Sequence, residues 1–236
     1  MAKSKSAAVV IKKKRWIRII APKLFNNQII GESFVAEPND LVGRCVSVSL
    51  MILTGDPQRQ SSVAKFKIIG VENDVVNTEF LGYALLPSAT KKLMRRAREK
   101  VDDSILLGTS DNKVVRVKPY VVTRGRTTGG VMATMRKLTR AYLARAVSKL
   151  SFEQLITEII GKKLQHGLGQ VLRKLYPIGA CEIREFEIVS AEKVKEMGWS
   201  VMIPPAEEPK VEPKESAKEE QPAENAEQET APEQSA

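Results

Sequence analysis

The residues with the clearest chemical potential are basic and aromatic side chains that adjoin each other near the N-terminus. They are Lys12, Lys13, Lys14, Arg15, Trp16 and Arg18, a cationic run that contains one indole. Lysine and arginine neutralise phosphate groups, and an indole ring can stack on a nucleobase, so this run predicts contact with RNA. The alternative interpretation is that Trp16 belongs to the core, and the sequence leaves both possibilities open.

Three further segments carry basic side chains, on a predicted helix, on one face of a predicted strand with the loop after it, and on a second helix. The candidate RNA-contacting residues are, in that order, Lys91, Lys92, Arg95 and Arg98; Arg116, Lys118, Tyr120, Arg124 and Arg126; and Arg136, Lys137 and Arg140. One charge run is usually only a solvated face, but several runs in a strongly basic chain favour a phosphate-binding surface.

Catalytic chemistry has little support in this chain. His166 is the only histidine, and its helical position points away from the leucines of its helix, which predicts an exposed or RNA-facing ring. A single histidine can build neither a catalytic triad nor a histidine-based zinc site. The pair Asp102–Asp103 could hold a metal, but salt bridges to the arginines within residues 95–98 are the more common role of such a pair. We therefore expect no catalytic residue, no metal and no cofactor.

The distribution of charge points to a polyanionic partner. The chain has 38 Lys and Arg against 28 Asp and Glu, a formal net charge of +10. Residues 204–236 hold ten Glu and three Lys, a net charge of −7, so subtraction leaves +17 for residues 1–203. A folded body with this much charge of one sign is self-repelling unless a polyanion offsets it, and nucleic acid is the expected partner.

Composition places the chain among cytoplasmic globular proteins. Hydrophobic residues make up 42% of the chain and aromatic residues 5%, so the expected core consists mainly of Val, Ile and Leu. Cys45 and Cys181 lack metal-site spacing, and we expect two buried thiols in a reducing compartment. No apolar run reaches the roughly 18 residues that a membrane span needs, and a charge run that follows an apolar patch is the reverse of a signal peptide.

Three regions follow from the composition along the chain. Residues 1–11 are predicted to be a flexible N-terminal arm, and residues 12–203 a basic RNA-binding body. Residues 204–236 are rich in Pro, Glu, Ala and Gln and include six of the twelve prolines. Such a segment buries too little apolar surface to offset its ordering entropy, so it is predicted to be a disordered acidic tail.

Strand patterns alternate with turn signals over most of the body. Predicted strands cover residues 15–20, 44–53, 63–71, 75–85, 105–108, 113–122 and 182–189, and predicted turns lie around Gly31 and at residues 37–40, 54–57, 72–74 and 110–112. In the last strand the apolar parity shifts between Ile183 and Phe186. That shift predicts either a β-bulge or burial of both faces.

Helical periodicity occurs in four segments. Three of them show apolar stripes: Leu93, Ala97 and Val101; Val131, Met135, Leu138 and Tyr142, after Thr127–Gly130; and Leu164, Leu168, Leu172 and Leu175, before Pro177. The fourth is a predicted helix from Ser151 to Gly161. Ser151 and Gln154 have capping-box spacing, and Gly161 is expected at the position after the helix end. Strands and helices together predict an α+β protein.

Several short motifs, in order from about residue 12 to 189, resemble one family of small-subunit ribosomal proteins of archaea and eukaryotes. The motifs lie at residues 14–25, 30–32, 41–44, 53–56, 101–104, 115–119, 123–125, 175–177 and 182–184. The family is the S-three-A-e family, also known as eukaryotic-type S-one. The chain lacks the longer basic extension with which eukaryotic members begin, so it resembles archaeal members more closely, and its acidic tail is outside the family pattern.

The resemblance implies a β-barrel-like core with several accompanying helices and no catalytic activity. It implies a structural role on the platform of the small subunit, near the messenger exit, with contacts to the 3′ region of the ribosomal RNA and to neighbouring ribosomal proteins, and with mRNA nearby. It also assigns RNA contact to Arg116, Lys118 and Arg124, which lie in matching motifs. The alternatives are an RNA-processing enzyme, which the lack of paired catalytic groups disfavours, and a free RNA chaperone outside the ribosome.

Overall fold

One mixed β-sheet with helices packed against it forms the described part of the chain. The computed structural model describes residues 13–72 and 75–196. Within them, the strands are β1 (Arg15–Ile20), β2 (Ile29–Val35), β3 (Cys45–Ser49), β4 (Ser62–Glu72), β5 (Val75–Leu85), β6 (Lys100–Asp102), β7 (Ile105–Gly108), β8 (Val114–Thr123) and β9 (Ile178–Ile188). The helices are α1 (Leu50–Thr54), α2 (Pro87–Leu93), α3 (Gly129–Lys149), α4 (Phe152–Ile160), α5 (Lys163–Arg173) and α6 (Ala191–Glu196). The predicted α+β class is confirmed.

Parts of the predicted organisation lie outside the described residues. The predicted N-terminal arm at residues 1–11, the candidate RNA contact Lys12 and the predicted acidic tail at residues 204–236 all belong to the parts that are not described. The described residues all fall within one compact unit.

Strand β5 is the centre of the sheet because it pairs with three other strands. One edge pairs with β4 along its length, and the other pairs first with β1 in parallel at Val75–Asn77 and then with β9 antiparallel at Gly82–Ala84. From β9 the sheet continues to β8, whose far edge carries β6 and β7, while β2 extends β1 and β3 extends β4. No pairing among the described strands joins β3 to β6 or β7, so the sheet is open.

The main core lies between the sheet and helices α3 and α4. Its aromatic part is a group of phenylalanines in which Phe152 and Phe186 stack with ring centroids 6.0 Å apart, and Phe80 lies 6.4 Å from both. Aliphatic side chains from the strands and helices surround this group, as the composition predicts. A second cluster lies beneath β1 and β2, and a third lies between β6, β8, α3 and α5.

The predicted capping box at the start of α4 is present. Ser151 Oγ accepts a hydrogen bond from the Gln154 backbone N–H at 3.4 Å, and Gln154 Oε1 accepts one from the Ser151 N–H at 3.2 Å. The end of the helix differs from the prediction in one detail. Gly161 ends α4 with φ −71°, and the left-handed conformation falls on Lys162, with φ 59°.

Three local predictions are wrong because tertiary pairing or a cap overrides the local pattern. A turn was predicted around Gly31, but this residue lies inside β2, because pairing with β1 holds the segment extended. The alternation after Ser49 is helical, since Ser49 caps α1 by accepting from the Met51 N–H. The stripe that ends at Val101 is helical only to Leu93, and Val101 is a buried strand residue.

The predicted β-bulge in β9 is confirmed. The pairing with β8 shifts from Lys118–Glu185 to Pro119–Ile183, which leaves Arg184 as the extra residue. Nearby, Gly82 of β5 faces this part of β9 so closely that a Cβ atom would lie 2.3 Å from the Phe186 carbonyl oxygen. The crossing of β5 and β9 therefore requires a residue without a side chain.

One glycine of α5 lies close to a side chain of α3. A Cβ atom on Gly167 would lie 2.2 Å from the Tyr142 hydroxyl oxygen, so a larger residue there would require the end of the Tyr142 side chain to move. Two stripe residues are exposed against expectation. Leu138 on α3 is 36% exposed, and Leu175 is 39% exposed because α5 ends at Arg173, before the predicted stripe is complete.

Candidate nucleic-acid interface

The β1–β2 ribbon, residues 15–20 and 29–35, carries two exposed aromatic rings side by side. Trp16 on β1 pairs directly with Phe34 on β2, with ring centroids 5.0 Å apart and ring planes at 38°. Trp16 is 64% exposed and Phe34 49% exposed. The structure thus decides between the two interpretations of Trp16, which is a surface residue and is not part of the core.

Strand alternation explains why these rings face solvent. Ile17 and Ile19 occupy the other face of β1 and are buried, so this face of the ribbon packs against the hydrophobic core. Trp16 and Arg18 then share the outer face, where Arg18 lies opposite Glu32 with a distance of 3.6 Å between Arg18 Nε and Glu32 Oε1.

Cations surround the aromatic pair. Lys14 Nζ lies 5.9 Å from the centre of the Phe34 ring, and Arg18 shares the outer face with Trp16. Lys13 and Arg15 are exposed next to them in the sequence. Exposed aromatic rings stack on unpaired bases whatever their sequence, and adjacent cations neutralise the phosphates of the same strand. The ribbon has the chemistry of a single-stranded RNA platform.

Phe34 is a candidate functional residue that the sequence interpretation missed. The turn assigned at Gly31 hid the strand that contains it. The alternation of Glu32 and Phe34 with Ser33 and the buried Val35 is the signal that could have identified the strand, since Glu32 and Phe34 share its outer face.

The basic residues after β5 do not share a helical face. Lys91 and Lys92 are exposed in the last turn of α2, but the helix ends at Leu93. Arg95 lies exposed in the loop that follows, and Arg98 is half-buried with its Nη1 donating to the Leu93 carbonyl at 3.3 Å. The predicted continuous helix face is wrong, and these cations lie along a short helix and its following loop.

The predicted cationic outer face of β8 is also wrong. The Lys118 side chain is only 15% exposed and forms a salt bridge with Glu185. Its Nζ atom also lies 3.8 Å from Glu187 Oε1. Tyr120 is 4% exposed. Arg116 is half-buried, and its Nε donates to Ser104 Oγ at 2.9 Å. The RNA contacts assigned to these three residues stay predictions that their placement does not favour.

Glu185 is the centre of a charge network that comprises Lys65, Lys118, Glu185 and Glu187. Burial alone would raise the pKa of the Glu185 carboxyl, but hydrogen bonds and charges from Lys118 and Lys65 outweigh it and lower the pKa below its ordinary value. Lys65 Nζ lies 3.3 Å from Glu185 Oε1. The network keeps Glu185 ionised and uses the charge of Lys118 within the protein.

The carboxylates Asp102 and Asp103 form salt bridges, but with other arginines than those predicted. Asp102 pairs with Arg184, and Asp103 Oδ2 lies 3.0 Å from Arg140 Nε. Arg136 Nε lies 3.9 Å from Asp103 Oδ1. Arg136 and Arg140 are thus held together on the exposed side of α3. Within residues 13–72 and 75–196, no group of three potential metal ligands is present.

The remaining candidates lie on the surface around the start of α3. Arg124, Arg126 and Lys137 are exposed, and the Arg126 carbonyl accepts a hydrogen bond from the Tyr176 hydroxyl at 3.0 Å. With Arg136 and Arg140 they form a third exposed cationic region, which we call the α3 surface; the second is the α2 segment, with Lys91, Lys92 and Arg95. Three exposed cationic regions are therefore available for phosphates: the ribbon, the α2 segment and the α3 surface.

The two thiols differ from the expectation that both are buried. Cys45 is exposed and Cys181 is half-buried, and both are free. Burial, with a smaller contribution from the charge of Glu182, raises the pKa of Cys181 to about 12, so this thiol is protonated at neutral pH.

The long apolar helix that a membrane crossing requires is not found in the described part of the chain.

Comparison with known proteins identifies relatives of the whole body. The model of the Ribosomal S3Ae family matches residues 2–192. The small ribosomal subunit protein eS1 of Nanoarchaeum equitans is 32% identical over 182 residues, 77% of this chain and 92% of the relative. The protein of the same name from Methanobrevibacter smithii is 30% identical over 193 residues, 80% of this chain and 100% of the relative. The resemblance seen in the sequence motifs is confirmed: this chain belongs to the Ribosomal S3Ae family.

Proposed function

We propose that this chain is a structural component of the small ribosomal subunit, which binds ribosomal RNA through its exposed cationic regions. The observation that carries the proposal is the match of the Ribosomal S3Ae family over residues 2–192, together with relatives named as small ribosomal subunit proteins. Membership of a ribosomal protein family makes the chain a structural protein and not an enzyme. It acts in the cytoplasm, within the small subunit.

The location within the subunit is the finer part of the proposal. The chain lies on the platform near the messenger exit, in contact with the 3′ region of the ribosomal RNA and with neighbouring ribosomal proteins, and mRNA passes nearby. Residues 12–203 form the RNA-binding body. The support for these statements is the family resemblance of the motifs and the charge of the body.

The three exposed cationic regions have different tasks in this proposal. The α2 segment and the α3 surface neutralise phosphates of folded RNA, whose helices offer side chains shape and backbone more than base edges. The β1–β2 ribbon takes an unpaired segment, in which one base stacks on Trp16 and Phe34 while Lys14 and Arg18 contact the adjoining phosphates. Shape and charge then determine the binding position, with little direct reading of sequence.

Sedimentation tests the proposal. The full chain, labelled in its native cells, should travel with the small subunit through a gradient at moderate salt. Recovery in the soluble fraction alone would contradict the structural role and favour a free RNA chaperone. A second gradient compares the wild-type chain with a variant that carries Trp16→Ala and Phe34→Ala. Earlier loss of the variant from the subunit as the salt concentration is raised would show that the ribbon contributes to retention.

A further inference from the structure

The edge of β5 is open where this strand changes partners. It pairs with β1 up to Asn77 and with β9 from Gly82 onward, so residues 78–81 have no strand beside them on this edge among the described strands. Thr78 covers the end of β1, because its Oγ1 donates to the Ile20 carbonyl at 2.7 Å. Residues 79–81 are left, and they line an open cavity of about 450 Å³, which we call the β5 notch.

The notch has an apolar wall and a rim of mixed charge. The apolar residues are Phe80, which is buried, and Leu81 and Ile188, which are half-buried. At the rim the exposed Lys67 and Glu79 are cross-strand neighbours, so their charges offset each other. A rim that carries both signs does not favour a phosphate. The notch therefore suits an uncharged apolar group.

The open edge also lacks hydrogen-bond partners. A strand edge without a neighbour presents N–H and C=O groups that another group can bind. Leu81 adds to the irregularity, because it is the extra residue of a β-bulge: Gly82 pairs with Lys65 and Phe80 with Phe66. An occupant with an apolar body and one hydrogen-bonding atom would match both properties of the notch. A tryptophan side chain has this combination, since its indole N–H needs an acceptor when the ring is buried.

The path of the chain leads to the notch. After β9 ends at Ile188, Ser190 and then Lys193, in α6, line the same cavity. The described part of the chain ends at Glu196, three residues after Lys193. The segment that follows thus starts beside the notch.

That segment has the composition of an occupant. Residues 197–203 carry no charge, and five of the seven are large and apolar: Met197, Trp199, Val201, Met202 and Ile203. From residue 204 to residue 236 the only large apolar residue is Val211. Trp199 follows Lys193 by six residues, which span up to about 20 Å when extended, enough to return to the notch.

We propose that the β5 notch is the docking site of residues 197–203, with the Trp199 indole packed against Leu81 and Ile188. Docking covers the open edge of β5 and offers its carbonyl groups to the indole N–H. The occupant belongs to the same chain and RNA takes no part, so the inference stands or falls independently of the proposed function.

Tryptophan fluorescence of the full chain tests the docking. The chain has two tryptophans, so Trp16→Phe leaves Trp199 as the only indole. We expect acrylamide to quench Trp199 several times less efficiently than free N-acetyltryptophanamide, to the same extent at low and high protein concentration. Quenching as efficient as that of the free compound would overturn the proposal. Protection that develops only at high concentration would also overturn it, because a neighbouring copy would then supply the occupant.

Variants of the notch test the place of docking. In the Trp16→Phe background, Leu81→Asp puts a short charged group into the notch and should make Trp199 accessible to acrylamide. Ile69→Asp is the matched control, because Ile69 is 57% exposed on β4 and does not line the notch. Leu81→Ala is the milder variant if circular dichroism shows that Leu81→Asp does not fold, and it should raise the quenching of Trp199 in part. Protection that survives both Leu81 variants would contradict the assignment of the notch.

Thermal unfolding gives an independent measurement. Trp199→Ala should lower the melting temperature by about 3–10 °C, the shift expected when a large apolar side chain leaves a buried site in a chain of this size. In a chain that already carries Leu81→Asp, the same change should have no further effect, because the indole has left the notch. An unchanged melting temperature in Trp199→Ala, or effects of the two changes that simply add, would refute the docking.

Discussion

The β1–β2 ribbon and the β8–β9 pair are both rich in basic residues, but they use the charge differently. On the ribbon, Lys14 and Arg18 extend into solvent around two exposed rings. On β8, Lys118 is enclosed by Glu185 and Glu187 of β9. A basic side chain can neutralise a phosphate only where the fold leaves it exposed. Arg18 also faces a cross-strand carboxylate, Glu32, so the difference lies in enclosure: the Arg18 side chain is 66% exposed and the Lys118 side chain 15% exposed.

The largest expected effect concerns the charge network. Glu185→Gln removes the partner of the enclosed Lys118 and should lower the free energy of unfolding by about 2 kcal/mol, less than for a fully buried pair because the Glu185 side chain is 22% exposed. The matched variant Glu32→Gln breaks the exposed pair with Arg18 and should cost at most about 0.5 kcal/mol. Urea unfolding measures both, and equal losses would abolish the distinction between the two regions.

The next effect concerns RNA binding at the ribbon. Trp16→Ala should weaken the binding of single-stranded RNA by about tenfold, since stacking one base contributes about 1–3 kcal/mol. The melting temperature should hardly change, because Trp16 is 64% exposed. Trp16→Phe should retain most of the affinity, and Ile52→Ala, which removes an equally exposed apolar side chain away from the ribbon, should have no effect. Fluorescence anisotropy gives the affinities, and full binding by Trp16→Ala would disprove the stacking role.

Acid should weaken the network and leave the ribbon intact. The pKa of Glu185 is lower in the folded protein than its ordinary value of about 4.3. The stability that this carboxylate contributes is therefore fully present above that value and is lost as the pH falls through the folded pKa. The difference in unfolding free energy between wild type and Glu185→Gln should be constant from about pH 6 to pH 8 and shrink below about pH 4. A difference that grows on acidification would refute the assignment.

The smallest expected effect is on the salt dependence of RNA binding. Lys14→Gln should reduce the slope of log affinity against log salt by about 0.7, because one single-strand phosphate contact is lost. Lys118→Gln should leave the slope unchanged, since that charge is already paired with Glu185. Binding titrations at four salt concentrations measure both slopes. A reduced slope in Lys118→Gln would show that the network opens to RNA.

Much of the fold could be predicted from local signals. The capping box at Ser151, the hairpin strands on both sides of residues 72–74 and the bulge after Ile183 all depend on residues close in sequence. The helix α1 and the strand β2 were missed because their local patterns are ambiguous. Ser49 converts an alternating run into a helical turn, and only pairing with β1 makes the segment around Gly31 extended.

The candidate site was less predictable, because it depends on partners that are distant in sequence. Lys118 and Glu185 are 67 positions apart, and nothing near Lys118 indicates that a carboxylate will enclose it. Trp16 could be assigned to the surface only once the ribbon placed it opposite Phe34. The basic segments identified the class of ligand, whereas the choice among individual cations required the pairing of the strands.

The position of β5 has a consequence for the order of folding during synthesis. Its pairings with β4 and β1 join residues within the first 85 positions, whereas its pairing with β9 joins Gly82 to Glu187, 105 positions later. Distant pairings form later because a longer loop must close, and chains fold from the N-terminus as they emerge. The aromatic ribbon can thus be assembled on β5 while α3, α4 and α5 are still being made. The nascent chain can then engage RNA before its charge network exists.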